Sequence, residues 1–239
     1  GETDRLPLEV ALMQMVSMPP LCENVVELLE WFEMSSCFIL VLERPSPCVD
    51  LREFCTHMNS QLCEPLACEI MWQVVQAARH CCDCGVLHHD IKAENLLINI
   101  DTLQGKLIDF GCGDLLKDSP YQRFVRTQTF LPPESTRDRQ YMGRPATIWS
   151  LGMLLYYLVC SDFPFKSEVE TSEKDILPPP YLSRGCRDLI SWCLNKDPHY
   201  RATLEDIISH ERFMEELQYN VQVSYFLPTL LTSFYFLFI

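Results

Sequence analysis

The sequence predicts an α+β fold of two unequal lobes, a small one with short strands followed by a larger, mainly helical one. Three observations lead there. Apolar residues recur at helical spacing over Leu6–Val16, Pro65–Cys84, Ile148–Cys160, Ser183–Leu194 and Thr203–Ser209. Two apolar runs of strand length, Val25–Phe32 and Cys37–Leu42, lie between the first two of these. The turn-forming stretch Arg44-Pro45-Ser46-Pro47 then separates strand-rich from helix-rich sequence. A length of 239 residues suits one large domain or two lobes around a cleft, and 48% hydrophobic residues supply a packed core.

In chain order, Leu8, Leu12, Met15 and Val16 share a helical face, and Pro7 suits a first turn. Glu33-Met34-Ser35-Ser36 divides the two apolar runs as the turn of a hairpin. Ile70, Val74, Ala77 and Ala78 mark one face of the long helix, and Gly85 is placed to end it. Val86-Leu87 and Leu96-Leu97-Ile98 flank a polar turn, and Lys106-Leu107-Ile108 leads into Asp109, so short strands bracket a loop. Ile148–Cys160 is apolar nearly all round and belongs inside. Thr203 and Asp206 have the spacing of a capping pair. The expected division is a first lobe over residues 1–43, a larger lobe over 44–216 and an apolar tail over 217–239.

The 33 acidic residues outnumber the 19 basic ones, for a net charge of -14. This excess argues against nucleic acid and anionic membranes as partners and favours basic peptides; simple solubility is the competing reading. Residues 1–20 carry Glu2, Asp4, Arg5 and Glu9 and no basic stretch followed by an apolar one, so no secretory signal is expected. The 13 cysteines are then reduced thiols packed as small hydrophobes. The run His80-Cys81-Cys82-Asp83-Cys84 with His88 suits tetrahedral zinc poorly, because its cysteines are adjacent and no second Cys-x-x-Cys follows. Val223–Ile239 approaches the ~18 apolar residues that suggest a membrane span but falls short of the usual ~20. A tail anchor, a non-native extension and a segment folded on the surface all stay open. No other membrane contact is expected.

Two motifs carry chemistry: His88-His89-Asp90-Ile91-Lys92-Ala93-Glu94-Asn95 and, 19 positions after Asp90, Asp109-Phe110-Gly111. Together they resemble the catalytic loop H-R-D-x-K-x-x-N and the metal-binding D-F-G of protein kinases. The competing reading is ordinary turn residues. The resemblance implies that Asp90 sits at the attacking hydroxyl and that Lys92 brings a cation to the transferring phosphoryl group. It implies Asn95 and Asp109 as the oxygen ligands of Mg2+ on ATP. A lysine two residues after the aspartate resembles serine/threonine rather than tyrosine kinases.

More narrowly, the chain resembles the Pim family. Glu43-Arg44-Pro45, Cys84-Gly85-Val86-Leu87-His88, Lys106-Leu107-Ile108-Asp109-Phe110-Gly111, Leu115-Leu116-Lys117-Asp118, Trp149-Ser150-Leu151-Gly152 and Trp192-Cys193-Leu194 carry this, from about Pro7 to about Phe213. The family implies a protein-kinase-like two-lobe fold with an incomplete small-lobe sheet. It implies ATP and Mg2+ as cofactors, basic Ser/Thr-containing protein substrates, a monomer, and a cytoplasmic or nuclear location. Glu43, Asp50, Glu94, Leu97, Ile108 and Asp109 are its nucleotide-site positions. Pro45 lacks an N–H, so the carbonyl of Glu43 is left as the acceptor toward adenine. Asp50, Glu53, Glu94 and Asp162 match acidic positions of that family's substrate groove, against a competing reading as a solvated acidic face. Ala93 replaces a further acid. Pro132-Pro133-Glu134 resembles A-P-E, with Glu134 pairing Arg201 to hold the fold, and Thr127 stands where kinases place a threonine that orients the base. Ile148 stands where most kinases have aspartate.

The departures are as informative. No lysine precedes Lys92 and no glycine lies between Gly1 and Gly85, so a glycine-rich loop and a strand lysine are both absent. The expectation is a kinase domain truncated at its N-terminus. Glu9, the regulatory helix's ion-pairing acid, then has no lysine to meet and is expected to be an exposed helix acid. His89 replaces the arginine of H-R-D, which weakens the anchoring of a phosphorylated loop at neutral pH. Ser135 replaces the tryptophan usual after Pro-Pro-Glu in Pim kinases. Very low activity is expected, because losing one electrostatic stabiliser costs on the order of 10²–10³ in rate. The rival expectation is a non-catalytic pseudokinase, or fragment, that works as a partner-binding module.

Overall fold

A computed structural model of the chain describes residues 6–58, 60–122, 131–211 and 213. The tail over 217–239 and Thr127 lie outside the described residues. Helix α1 (Leu8–Val16) buries Val10, Leu12, Met13 and Val16, while Leu8 faces solvent, so the buried stripe is turned from the one expected. Strands β1 (Leu28–Glu33) and β2 (Phe38–Leu42) form the expected antiparallel hairpin, closed where Met34 N–H donates to the Cys37 carbonyl at 2.8 Å. Both faces are only partly covered: Leu29, Phe32, Phe38, Ile39 and Val41 stay exposed. The hairpin is tied to the rest through Asn24–Val26, which exchanges two backbone hydrogen bonds with Leu107.

Strand β3 (Cys48–Asp50) runs straight into helix α2 (Leu51–His57), whose first turn is capped by the Asp50 carboxylate. Helix α3 (Glu64–Asp83) carries Pro65 in its first turn, where a missing N–H costs nothing, and buries Ile70, Val74, Ala77 and Ala78 as expected. Gly85 follows it at φ 74°, a left-handed conformation that a side chain would strain. Strand β4 (Val86–Leu87) pairs with β7 (Asp114–Leu115), while β5 (Leu96–Asn99) lies between β3 and β6 (Gly105–Leu107). The strands before and after the catalytic-type loop therefore bracket it without pairing to each other.

Helices α4 (Pro133–Arg137), α5 (Gly143–Cys160), α6 (Glu168–Glu173), α7 (Arg184–Cys193) and α8 (Leu204–Ser209) build the rest. Helix α5 starts five residues ahead of its apolar run, because Arg144 and Pro145 are well tolerated in a first turn. Its Trp149 is fully buried and stacks on Phe165 at 5.7 Å. The capping box at Thr203 and Asp206 forms in both directions. None of the 13 cysteines forms a disulfide. Among the described residues no helix is long and apolar enough to cross a membrane.

Candidate active site

The β4–β7 pair fastens the start of the first motif to the segment that follows the second. Between them, Asp90 and Asn95 are buried, and burying a carboxylate is costly unless donors surround it. Two do. Lys92 Nζ lies 2.6 Å from Asp90 Oδ2, and Asn95 Nδ2 donates to that same oxygen at 2.9 Å and to the Asp90 carbonyl at 2.8 Å. Burial works against the Lys92 charge, yet the hydrogen bond and charge of Asp90 outweigh it and raise the lysine's pKa. With Nδ2 turned inward, the Asn95 amide oxygen is the atom left for other partners.

His88 joins the motifs. Its Nε2 bonds the Ile108 carbonyl at 2.9 Å, and its Nδ1 accepts the Asp90 N–H at 3.2 Å. That pair of roles fixes a neutral ring with the proton on Nε2. Burial pushes the His88 pKa down, in spite of the Ile108 carbonyl and the charges of Asp90 and Asp109. Its ring meets Phe110 edge-on at 4.8 Å, and Ile108 N–H donates to the Asn95 carbonyl at 2.9 Å. The sequence shows His88 as one letter of a motif; its bridging role needs the fold.

Asp109 sits at φ 66° with an exposed side chain whose Oδ1 accepts the Gly111 N–H at 3.1 Å. Gly111 is needed there: a Cβ on it would lie 3.1 Å from Asp109 Oδ1 and 3.7 Å from Glu9 Oε2. Glu9 is thus not the exposed helix acid expected. It is half-buried against the second motif, and burial together with the Asp109 charge raises its pKa. Carboxylates stand on both sides of Gly111.

Of the predicted nucleotide-site residues, Glu43, Asp50, Glu94, Leu97 and Ile108 border one open cleft, and Asp109 directly follows Ile108. Leu97 and Ile108 supply apolar contact, while the acids form the rim. The Glu43 carboxylate is turned away to Lys106 Nζ at 2.7 Å and the Glu27 N–H at 2.9 Å. Three of the four acids expected at a substrate groove are already engaged: Asp50 caps α2, Glu94 pairs with Arg52 at 2.5 Å, and Asp162 pairs with Lys166. The sequence reading missed Arg52 as the partner of Glu94, since only contact across 42 residues reveals it.

Three residues outside the cleft are placed as follows. Arg201 grips Glu134 with two buried hydrogen bonds of 2.8 and 2.7 Å, and it lies 5.1 Å over the Trp149 ring. Ser135 is buried with its hydroxyl donating to the Pro132 carbonyl at 2.6 Å. His89, at φ 68°, packs edge-on against Tyr121 and Tyr141 and is 3.2 Å from the Tyr141 hydroxyl.

Comparison with known proteins agrees with this geometry. Residues 1–213 match the protein kinase domain. The chain is 38% identical over 220 residues to serine/threonine-protein kinase pim-2 of Danio rerio, covering 90% of this chain and 71% of that protein. It is 35% identical over 211 residues to serine/threonine-protein kinase prk-2 of Caenorhabditis elegans, and 30% over 217 residues to ppk6 of Schizosaccharomyces pombe. Those alignments cover 87% and 90% of this chain but only 47% and 27% of the relatives, so it spans less than half of either. With residues 1–213 matched and the two motifs bonded to each other through His88, the chain belongs to the protein kinase family, beside its serine/threonine members.

Proposed function

We propose that the cleft takes Mg2+-ATP and that the chain transfers the γ-phosphate to Ser or Thr of basic protein substrates, in the Pim manner. The observation that carries this is the Asp90 carboxylate held by both Lys92 and Asn95. That restraint keeps one carboxylate at the place where a substrate hydroxyl must lose its proton. Lys92 supplies a cation beside it. The Asn95 amide oxygen and the exposed Asp109 carboxylate fit a hard cation, since each keeps oxygen capacity not used by its own hydrogen bonds. Mg2+ bound there would neutralise the charge that develops on the phosphate oxygens. Glu43, at the boundary between the two lobes, offers its carbonyl to adenine, with Leu97 and Ile108 packing the ring. The acidic rim of Asp50, Glu53 and Glu94 favours basic peptides, although Arg52 and Lys166 neutralise part of the groove.

Catalysis by the 239-residue chain on its own is weak in this reading. No lysine precedes Lys92, and Glu9 faces Asp109 where a cation would be expected. That same observation favours a second reading, a partner-binding module with no phosphoryl transfer. The deciding experiment incubates the chain with labelled Mg2+-ATP and an arginine-rich serine peptide. Slow transfer, lost in Asp90→Asn, is expected. Robust turnover would contradict the weak-activity claim, and the absence of any nucleotide binding would leave the partner-binding reading.

A further inference from the structure

The β1–β2 hairpin carries more apolar surface than its neighbours cover. Each of its strands has one strand partner among the described residues, and an isolated two-stranded sheet is marginal in water. Alternation along β2 places Phe38 and Leu42 on one face and Ile39 and Val41 on the other, and all four are exposed. Phe32, opposite Ile39, extends the exposed apolar surface onto β1.

The two edges of the hairpin differ. The outer side of β1 meets the end of α1, where the Leu28 N–H donates to the Ser17 hydroxyl at 2.9 Å. Beyond β2 no strand follows among the described residues, so its backbone groups that point away from β1 form an open edge. An open edge with apolar side chains on both faces recruits another strand.

The sequence supplies a segment of matching chemistry. Residues 217–239 carry no charge, and after Pro228 no further proline interrupts them. Their last stretch, Phe234-Tyr235-Phe236-Leu237-Phe238-Ile239, is rich in the aromatic residues that favour strands. It is apolar at successive positions, so as a strand it presents apolar side chains to both faces at once. A strand with one polar face would leave half of the β2 surface uncovered. Glu30 and Glu33 on β1 also favour an uncharged neighbour over an acidic one.

The chain reaches this segment from beside the hairpin. Phe213 is buried with its ring 5.8 Å from that of Trp72. The next residue of α3, Gln73, accepts a hydrogen bond from Asn24 Nδ2 at 3.1 Å, and Asn24 leads into β1. Strand β2 ends at the same base, where the Glu43 N–H donates to the Glu27 carbonyl at 3.1 Å. From there residues 214–228 could span up to about 50 Å, and residues 229–239 outnumber the five of β2. Length therefore does not limit the contact.

We propose that residues 229–239 add to the open edge of β2 as a third strand, within one chain, and cover both apolar faces of the hairpin. The test is photocrosslinking of the full chain with p-benzoylphenylalanine in place of Phe236, the adducts being mapped by mass spectrometry. The main adduct is expected within the monomer on residues 28–42, in buffer and equally with phosphatidylcholine vesicles present. In a second measurement, the β2 amides that face away from β1 should exchange hydrogen about tenfold faster in Phe236→Asp, while α3 and α5 keep their parent rates. No adduct, adducts elsewhere on the chain, adducts only between two copies, or adducts to lipid would overturn the proposal. So would exchange in Phe236→Asp that is unchanged in β2 or accelerated equally everywhere.

Discussion

At the residue scale, His88 shows how much one buried ring settles. It holds Ile108 and Asp90 through its two nitrogens, and the bond that Nδ1 accepts from the Asp90 N–H requires the neutral form. Burial lowers its pKa from the ordinary 6.5. The unfolded chain would take up a proton at pH values where the folded chain cannot. The stability from the neutral ring is therefore fully present above that value and is lost as pH falls below it. The melting temperature should drop below about pH 6.5, and His88→Asn should lower it at neutral pH while flattening that slope. Parallel slopes in the two proteins would refute the assignment. The motif letters were legible because phosphoryl transfer demands particular oxygen and nitrogen groups at fixed spacing. The Glu9 position was not, since its burial depends on α1 packing onto the segment around Gly111, a contact between residues a hundred positions apart.

At the element scale, the long helices were legible from apolar spacing alone, and α3, α7 and α8 start and stop within a residue or so of the expected positions. Helices α2, α4 and α6 escaped the reading because five to seven residues contain less than two turns of periodicity; α8 is as short, and the capping pair of Thr203 and Asp206 marked its start. Strand partners escaped it for another reason. A two-residue strand such as β4 carries no pattern that names β7 as its mate; the turn after the second motif brings them together. The junction of α5 and α7 gives a sharp test of packing. A Cβ on Gly152 would lie 2.7 Å from Cys193 Cβ and 2.9 Å from Leu194, in a fully buried contact. Gly152→Ala should therefore cost about 1–3 kcal/mol in urea denaturation, in spite of alanine's better helix propensity. A stabilised variant would show that the two helices can separate without penalty.

At the scale of the whole molecule, the fold brings two short motifs, 19 positions apart in the sequence, into direct contact beside one cleft. The β4–β7 pair, the His88 bridge and the bond from Ile108 to Asn95 converge on the same few residues. Acids line the cleft that Leu97 and Ile108 border: Glu43, Asp50, Glu53 and Glu94. What the account requires above all is that Asn95 and Asp109 act on a single metal-nucleotide site. Calorimetry of ATP binding with and without Mg2+, for the parent chain, Asn95→Ala, Asp109→Asn and the double variant, measures this directly. The account predicts Mg2+-dependent binding that each single change weakens, with a double variant scarcely weaker than either single one, as coupled ligands of one ion behave. Binding that ignores Mg2+, or losses that simply add, would contradict it.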